Sequence, residues 1–344
     1  MDIESLKELV MLPGVTGNEC KVRDYIRAKV GKRADVSVDR MGNLIATIGD
    51  GEPYIAIVAH MDEVGMLVAN IMDDGTLTVK KMGGIDDRVL LGRMVTVHTA
   101  KGDVDGVIGI KAPHLTLDKD EASKVTPWQK LSVDLGTRSA KETAGLGVEH
   151  LDPITIKKGW QIMNKKYLCS RALDNRVGCW AVLQAFEAAC KKTPKGTVSF
   201  VWSVQEEAGL RGAAVIGNTM YLDYVVAVDT YSTSDAPGAD KFFKPVFLGK
   251  GPVMRAADTV AVATPVMRDA VKAAAKAAKI PLQIGLTGGT TDGAKLQESG
   301  AATVPLGVPM RYTHSPAEVV HLDDVENLAK LVYAVVVAVG RNPP

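Results

Sequence analysis

Two textures of hydrophobic and polar patterning divide the chain. Near the start, Thr16-Gly17-Asn18-Glu19 has the form of a capping box and predicts a helix running to about Val30. A polar, hairpin-like stretch follows, with Met41-Gly42-Asn43 at its turn. The continuous apolar run 54–59 then has the length and character of a strand buried on both faces. From about Met66 to Trp160 the pattern changes. Short β-like pieces at 76–80, 94–99 and 107–110 alternate with Gly and Asp turns, and few long amphipathic helices are visible. This predicts a small β-rich insert over 67–160. Beyond Trp160, helices and buried strands alternate: a helix over 176–190, strands over 197–204 and 224–228, and an Ala/Lys-rich helix over 268–279, stopped before Pro281. A strand over 303–308 and a last helix complete the series. Asp323-x-x-Glu326 opens that helix, Val325, Leu328, Val332, Val335 and Val339 form one stripe along it, and Gly340 ends it. Such alternation predicts the α/β class, with a mostly parallel (mixed) sheet sandwiched by helices, built from residues 1–66 and 161–344.

Composition narrows the function classes. The 344 residues exceed what one core usually supports, so two domains are expected. The 41 basic and 40 acidic residues leave a net charge of +1, which implies no polycationic face and argues against nucleic acid or an anionic membrane as partner. No apolar stretch reaches the ~18 residues of a membrane span. Met1-Asp2-Ile3-Glu4-Ser5 lacks the basic and apolar regions of a secretory signal, so a cytoplasmic protein is expected. Cys20, Cys169, Cys179 and Cys190 form no Cys-x-x-Cys pair and read as small buried residues of a reducing compartment.

Candidate chemistry gathers at predicted strand ends. His60 follows the strand over 54–59, Glu206 and Glu207 follow that over 197–204, and Asp229 follows that over 224–228. Open α/β sheets place their sites outside the carboxyl ends of their strands. In His60-Met61-Asp62 an extended backbone lets Asp62 accept the second ring N–H of a metal-binding His60. A strand-end histidine bonded only to nearby backbone is the alternative. Adjacent Glu206 and Glu207 point apart, so one can hold metal while its neighbour takes a proton from water; a solvated acidic turn is the alternative. Asp174 either caps the helix that follows it or bridges two cations. His314 reads as a loop histidine or a ligand, and His98, His114, His150 and His321 as non-ligands. Three carboxylates and two neutral histidines would leave two divalent cations with about one net positive charge. Nitrogen and oxygen donors without thiolate suit Zn²⁺ or Co²⁺, with Mn²⁺ also compatible.

Several motifs together carry a resemblance. Ala59-His60-Met61-Asp62-Glu63-Val64-Gly65, Ala172-Leu173-Asp174-Asn175-Arg176, Gln205-Glu206-Glu207-Ala208-Gly209-Leu210-Arg211-Gly212-Ala213 and Arg311-Tyr312-Thr313-His314-Ser315 resemble the M42 family of dinuclear metallo-aminopeptidases. Gly106-Val107-Ile108-Gly109 before Pro113-His114, and Gly249-Lys250-Gly251-Pro252, extend the match to nearly the whole chain. The resemblance implies a phosphorylase/hydrolase-like metallopeptidase domain and an inserted dimerisation domain. It also implies a homo-oligomer, from dimer to tetrahedral dodecamer, acting on short peptides. In its terms Asp174 bridges two metals, His60 and Asp229 complete one site, and Glu207 and His314 complete the other. Glu206 is then the general base and Asp62 orients His60. Two segments depart from the family pattern: Gly288-Gly289-Thr290-Thr291-Asp292-Gly293, with an extra Thr and a Gly for Ala, and 115–130 with its Pro127-Trp128-Gln129.

Two other functions compete. A glycoside hydrolase could use Glu206 and Asp174 as acid and base, but aromatic residues are only 5% and the histidines would go unexplained. A non-catalytic, metal-stabilised shell or binding protein would have no use for Glu206.

Overall fold

The computed structural model describes residues 1–115, 124–239, 242 and 245–341. Its helices are α1 (Ile3–Met11), α2 (Cys20–Val30), α3 (Ala140–Gly145), α4 (Leu173–Lys191), α5 (Arg211–Thr219), α6 (Pro265–Ala278), α7 (Asp292–Gln297) and α8 (Leu322–Arg341). The first nine strands are β1 (Asp35–Val38), β2 (Leu44–Ile48), β3 (Tyr54–His60), β4 (Gly65–Ile71), β5 (Leu77–Met82), β6 (Met94–Thr99), β7 (Gly102–Ile108), β8 (Val133–Asp134) and β9 (Pro153–Ile156). The rest are β10 (Trp160–Met163), β11 (Tyr167–Ser170), β12 (Thr197–Ser203), β13 (Tyr224–Ser232), β14 (Val253–Ala257), β15 (Gln283–Leu286), β16 (Ala302–Arg311) and β17 (Glu318–His321).

Eleven strands form one mixed sheet in the order β1-β2-β12-β3-β13-β16-β17-β11-β10, with β14 and β15 branching from β16. Its centre, β12-β3-β13-β16, is parallel. These central strands are apolar on both faces because both faces are covered. Ile55, Ile57 and Ala59 of β3 join the core beneath α1, α2, α4, α6 and α8, whereas Ala56 and Val58 pack with Ala213 of α5 and Leu296 of α7. Phe186 of α4 meets Phe200 of β12 edge to face at 5.3 Å. The valine stripe of α8 is buried as its spacing predicts. Among the described residues, no helix is long and apolar enough to cross a membrane.

Strands β4-β5-β8-β7-β6-β9 close into a separate barrel. Closure removes the sheet edges that short strands would otherwise expose. Met66, Val68, Val79, Val95, Ile108 and Ile154 fill it, forming a core distinct from that of the large sheet.

Several local expectations change. The helix after Glu19 forms, but not through a capping box: Thr16 Oγ1 donates to Asp62, and Glu19 Oε1 accepts from Gly17 N and Gln205 N. Tertiary partners outcompete the local cap. The strand expected over 107–110 is instead β7, because Gly102 to Val107 pair with β6. Strand β13 runs four residues past Val228, so Asp229 lies within it, paired with Gly307 of β16. Its pairing with β3 stops at Ala227, and Asp229 lies where those two strands part. Of the cysteines only Cys179 is buried; Cys20 is exposed, and all four are free thiols. In the unusual segment 115–130, residues 116–123 lie outside the described residues. Trp128 lies under the Lys80 ammonium at 5.0 Å from its ring centroid.

Candidate active site and metal centre

Strand order places the site. From β3 the chain turns to β12 on one side and reaches β13 on the other, a reversal that opens a crevice at the carboxyl ends. His60 is the last residue of β3, Glu206 and Glu207 follow β12, and Asp229 lies on β13 beyond its pairing with β3. Asp174 and Asn175 have non-helical backbone angles, so the regular turns of α4 begin at Arg176. His314 lies in the loop joining β16 to β17. Ala172, Gln205, Leu210, Tyr312 and His314 all have φ between +56° and +63° without being glycine. Left-handed backbone at such residues costs about 1–3 kcal/mol each and persists only where the surroundings enforce it.

The six acid and histidine groups form two sets of three. His60, Glu206 and Asp229 face one point, and Asp174, Glu207 and His314 face another, the ligand atoms of each set lying within 4.8 Å of one another. Asp174 spans both: Oδ1 is 3.4 Å from His60 Nε2 and Oδ2 is 3.5 Å from His314 Nε2. His60 Nε2 is 3.5 Å from Asp229 Oδ1, and His314 Nε2 is 2.9 Å from Glu207 Oε1. The two neighbouring glutamates do point apart. The cleft above them is about 340 Å³ and includes Leu210, Thr230, Arg255, Gly289 and Thr290 in its lining. A larger apolar groove between α6 and α8, about 950 Å³, contains none of the candidate residues.

Burial and mutual repulsion set the electrostatics. Burial raises the Glu206 carboxyl well above the usual range, and the Asp229, Glu207 and Asp292 charges add to this against the pull of His60. Burial also raises Glu207 and Asp229. Burial alone would lower His314, but bonds to Asp174 and Glu207 outweigh it and push the imidazole up to about 12. The pocket therefore calls for positive charge. Asp174 Oδ1 is buried and accepts no hydrogen bond. A carboxylate set between two imidazoles with one oxygen left without a donor, among nitrogen and oxygen ligand atoms, fits divalent cations.

Asp62 does more than its spacing from His60 implies. His60 Nδ1 is 3.2 Å from the Asp62 carbonyl and 3.4 Å from its Oδ1. The same carboxylate accepts from Glu206 N at 3.0 Å, Glu207 N at 3.1 Å and Thr16 Oγ1 at 2.8 Å. It therefore holds both the histidine and the backbone of the paired glutamates.

Other contributors have roles that spacing does not show. Glu63 is buried against Arg171, with Lys158 and Arg176 at 3.5 Å. Burial would raise its carboxyl, but the three cations hold it at about 2. Glu318 accepts from Asp174 N and His314 N. Burial and the Asp174 charge raise its carboxyl, while the two N–H donors favour its ionised form. Asp292 is bonded to Ser203 behind the site. Glu63 adjoins Asp62 and Asp292 lies in the 288–293 segment, but no spacing shows what these two acids or Glu318 meet, and only the fold brings them to the ligands. His98, His150 and His321 make other contacts, and His114 is exposed.

Comparison with known proteins places the chain in a family. The model of the family described as M42 glutamyl aminopeptidase matches residues 42–331. A lysyl aminopeptidase of Pyrococcus furiosus is 31% identical over 97% of this chain and 96% of its own. A glutamyl aminopeptidase of Lactococcus lactis is 30% identical over 98% and 96%. The structure of the TET1 peptidase of Pyrococcus horikoshii, described as assembling into a tetrahedron or a large octahedral shell, superposes with a TM-score of 0.91 at 41% identity, covering 97% of this chain and 98% of that one. The two metal-suited sets at the crevice thus sit in a chain that belongs to the M42 glutamyl aminopeptidase family.

Proposed function

We propose that this protein removes N-terminal residues from short peptides, with Glu206 as general base beside a pair of divalent cations. The observation that carries this reading is Asp174, whose carboxylate is set between His60 and His314 with its buried Oδ1 accepting no hydrogen bond. His60 and Asp229 would hold one cation, Glu207 and His314 the other, and Asp174 both. When bound, such ions, Zn²⁺ or Co²⁺ by donor type, supply Lewis acidity toward a peptide carbonyl and toward water. Glu206 lies half-buried in the same cleft, where a carboxyl of raised proton affinity can take a proton from water and return it to the leaving amine. Asp62 fixes the ring of His60 and the backbone that presents Glu206.

The first residue of the substrate is acidic in this proposal. Relatives named for lysyl and for glutamyl substrates are almost equally similar, so their names do not decide the matter. Arg255 is the only Lys or Arg lining the cleft among the described residues. Its Nη2 donates to Thr230 O at 3.1 Å, and its Nη1 lies 3.4 Å from Asp258 Oδ2, which fixes the guanidinium plane. A planar fork held in place suits a carboxylate.

The phosphorylase/hydrolase-like catalytic domain would comprise residues 1–66 and 161–344. The insert at 67–160, with its closed barrel, would form the dimer contact of a homo-oligomer. A glycosidase built on Glu206 and Asp174 would leave both histidines beside Asp174 without a role. The test is chelation with EDTA followed by Co²⁺ or Zn²⁺, assayed on glutamyl-, leucyl- and lysyl-anilides. Loss and recovery of glutamyl-anilide cleavage is expected; metal-independent release of reducing sugar would overturn the proposal. Gel filtration reads the assembly, separating a 36.6 kDa monomer from a dodecamer.

A further inference from the structure

The two loops that carry Asp174 and His314 meet at one buried side chain outside both metal-suited sets. Glu318, 1% exposed, opens β17. It pairs across the sheet with Ser170, the last residue of β11 before the loop to Asp174. The connection that bears His314 joins β16 to β17 and so ends at Glu318 itself. One carboxylate closes both loops: Oε2 accepts from Asp174 N at 3.2 Å, and Oε1 accepts from His314 N at 2.9 Å. The two donors are 140 residues apart in the chain.

This arrangement is more than satisfaction of two buried amides. Ala172 on one loop and His314 on the other hold left-handed backbone without being glycine. Such conformations relax unless something enforces them. The donors belong to the residues whose side chains must meet at one point, and a shared acceptor with two oxygens sets their separation. A carboxylate is the only common side chain that can accept from two N–H groups through two oxygens without presenting a donor to either.

We propose that Glu318 is a positioning residue that sets the spacing of Asp174 and His314, and thereby the affinity of the Asp174–Glu207–His314 site for a divalent cation. The proposal rests on the reading of this cleft as a two-metal site. Glu318 touches neither substrate nor cation in it and acts only through the two backbones.

The experiment titrates Co²⁺ alone into the metal-free, full-length wild type, E318Q and E318D, following visible absorbance and bound equivalents, with thermal melts of the metal-free proteins as control. The glutamine of E318Q has nearly the same shape but puts an NH₂ donor against one of the two N–H groups. Wild type is expected to take up two equivalents. E318Q is expected to keep the first and to bind the second roughly 10–100-fold more weakly, the usual effect of losing a group that orients a ligand. E318D retains both acceptors on a shorter arm and is expected to fall between. Two equivalents in E318Q with wild-type affinity and spectrum would overturn the proposal, as would a change confined to the melting temperature. Should E318Q not fold, wild-type affinity for both equivalents in E318D overturns it. Failure of the wild type to bind two equivalents would instead count against the two-metal reading itself.

Discussion

Asp62, Glu206 and Arg255 divide the work at the residue scale. Glu206 faces the cleft without holding the fold together, so E206Q is expected to retain Co²⁺ binding while kcat falls by about 10²–10⁴-fold, the span of a lost general base. Metal content and turnover measured on one preparation check this. Replacing Arg255 by Ala removes its proposed charge-assisted contact with the substrate, typically ~1.5–3 kcal/mol, along with its bonds to Thr230 O and Asp258. Its expected signature is a loss of roughly ten- to hundredfold in kcat/KM for a glutamyl-anilide, with the leucyl-anilide little changed. Equal losses on both substrates would count against the acidic preference. Glu63 is the clearest pH-dependent group. Its folded carboxyl sits at about 2, below its ordinary 4.5. A depressed folded value adds stability that is fully present above the unfolded value and disappears as pH falls from about 4.5 toward 2. E63Q leaves Arg171 and its neighbours without their counter-charge. It should be less stable than wild type at neutral pH by about 3–5 kcal/mol, with the gap narrowing in that acid window. Denaturant midpoints across the pH range measure it.

At the scale of elements, the sheet's register rather than its strand ends decides where charge can sit. Asp229 is tolerated inside a buried strand because β3 has parted from β13 at Ala227, leaving a crevice in which the carboxylate can meet His60. Thr16 makes the same point from a loop. Its pattern reads as a helix cap, yet its hydroxyl serves Asp62 and hence the backbone of Glu206 and Glu207. T16A is therefore expected to leave the helical circular-dichroism signal unchanged while lowering kcat several-fold. A loss of helix signal without a change in kcat would restore the capping role. The stripe on α8 needs no such correction, because periodic burial against a sheet follows from apolar spacing alone.

For the whole molecule, two separate cores share one chain: the large sheet with its helices and the closed barrel. The proposed cations bind only where β3, the loop after β12, β13, the start of α4 and the β16–β17 loop converge, so they bind the native state and not the unfolded chain. Linkage then predicts stabilisation of ~2.7 kcal/mol at a metal concentration 100 times Kd. A melting temperature that rises with added Co²⁺ and drops with EDTA, followed by calorimetry, checks this.

Much of the protein was legible before any coordinates. The alternation of helices with strands buried on both faces, the β-rich texture of 67–160 and the gathering of His60, Glu206, Glu207 and Asp229 at strand ends follow from spacing and residue type, which are local properties of a chain; His314 and the bridging place of Asp174 came with the resemblance. The resemblance, not the spacing, distinguished Glu206 from Glu207 in role. Other features needed tertiary structure because they depend on partners far away in sequence. Glu318 between Asp174 and His314, Glu63 among Arg171, Arg176 and Lys158, and Arg255 at the cleft have partners that no local pattern predicts. Their burial becomes meaningful only once distant strands are paired. Hydrophobic periodicity records which face a segment buries. It does not record which distant donor a buried carboxylate will meet, and that meeting decided the geometry of the site.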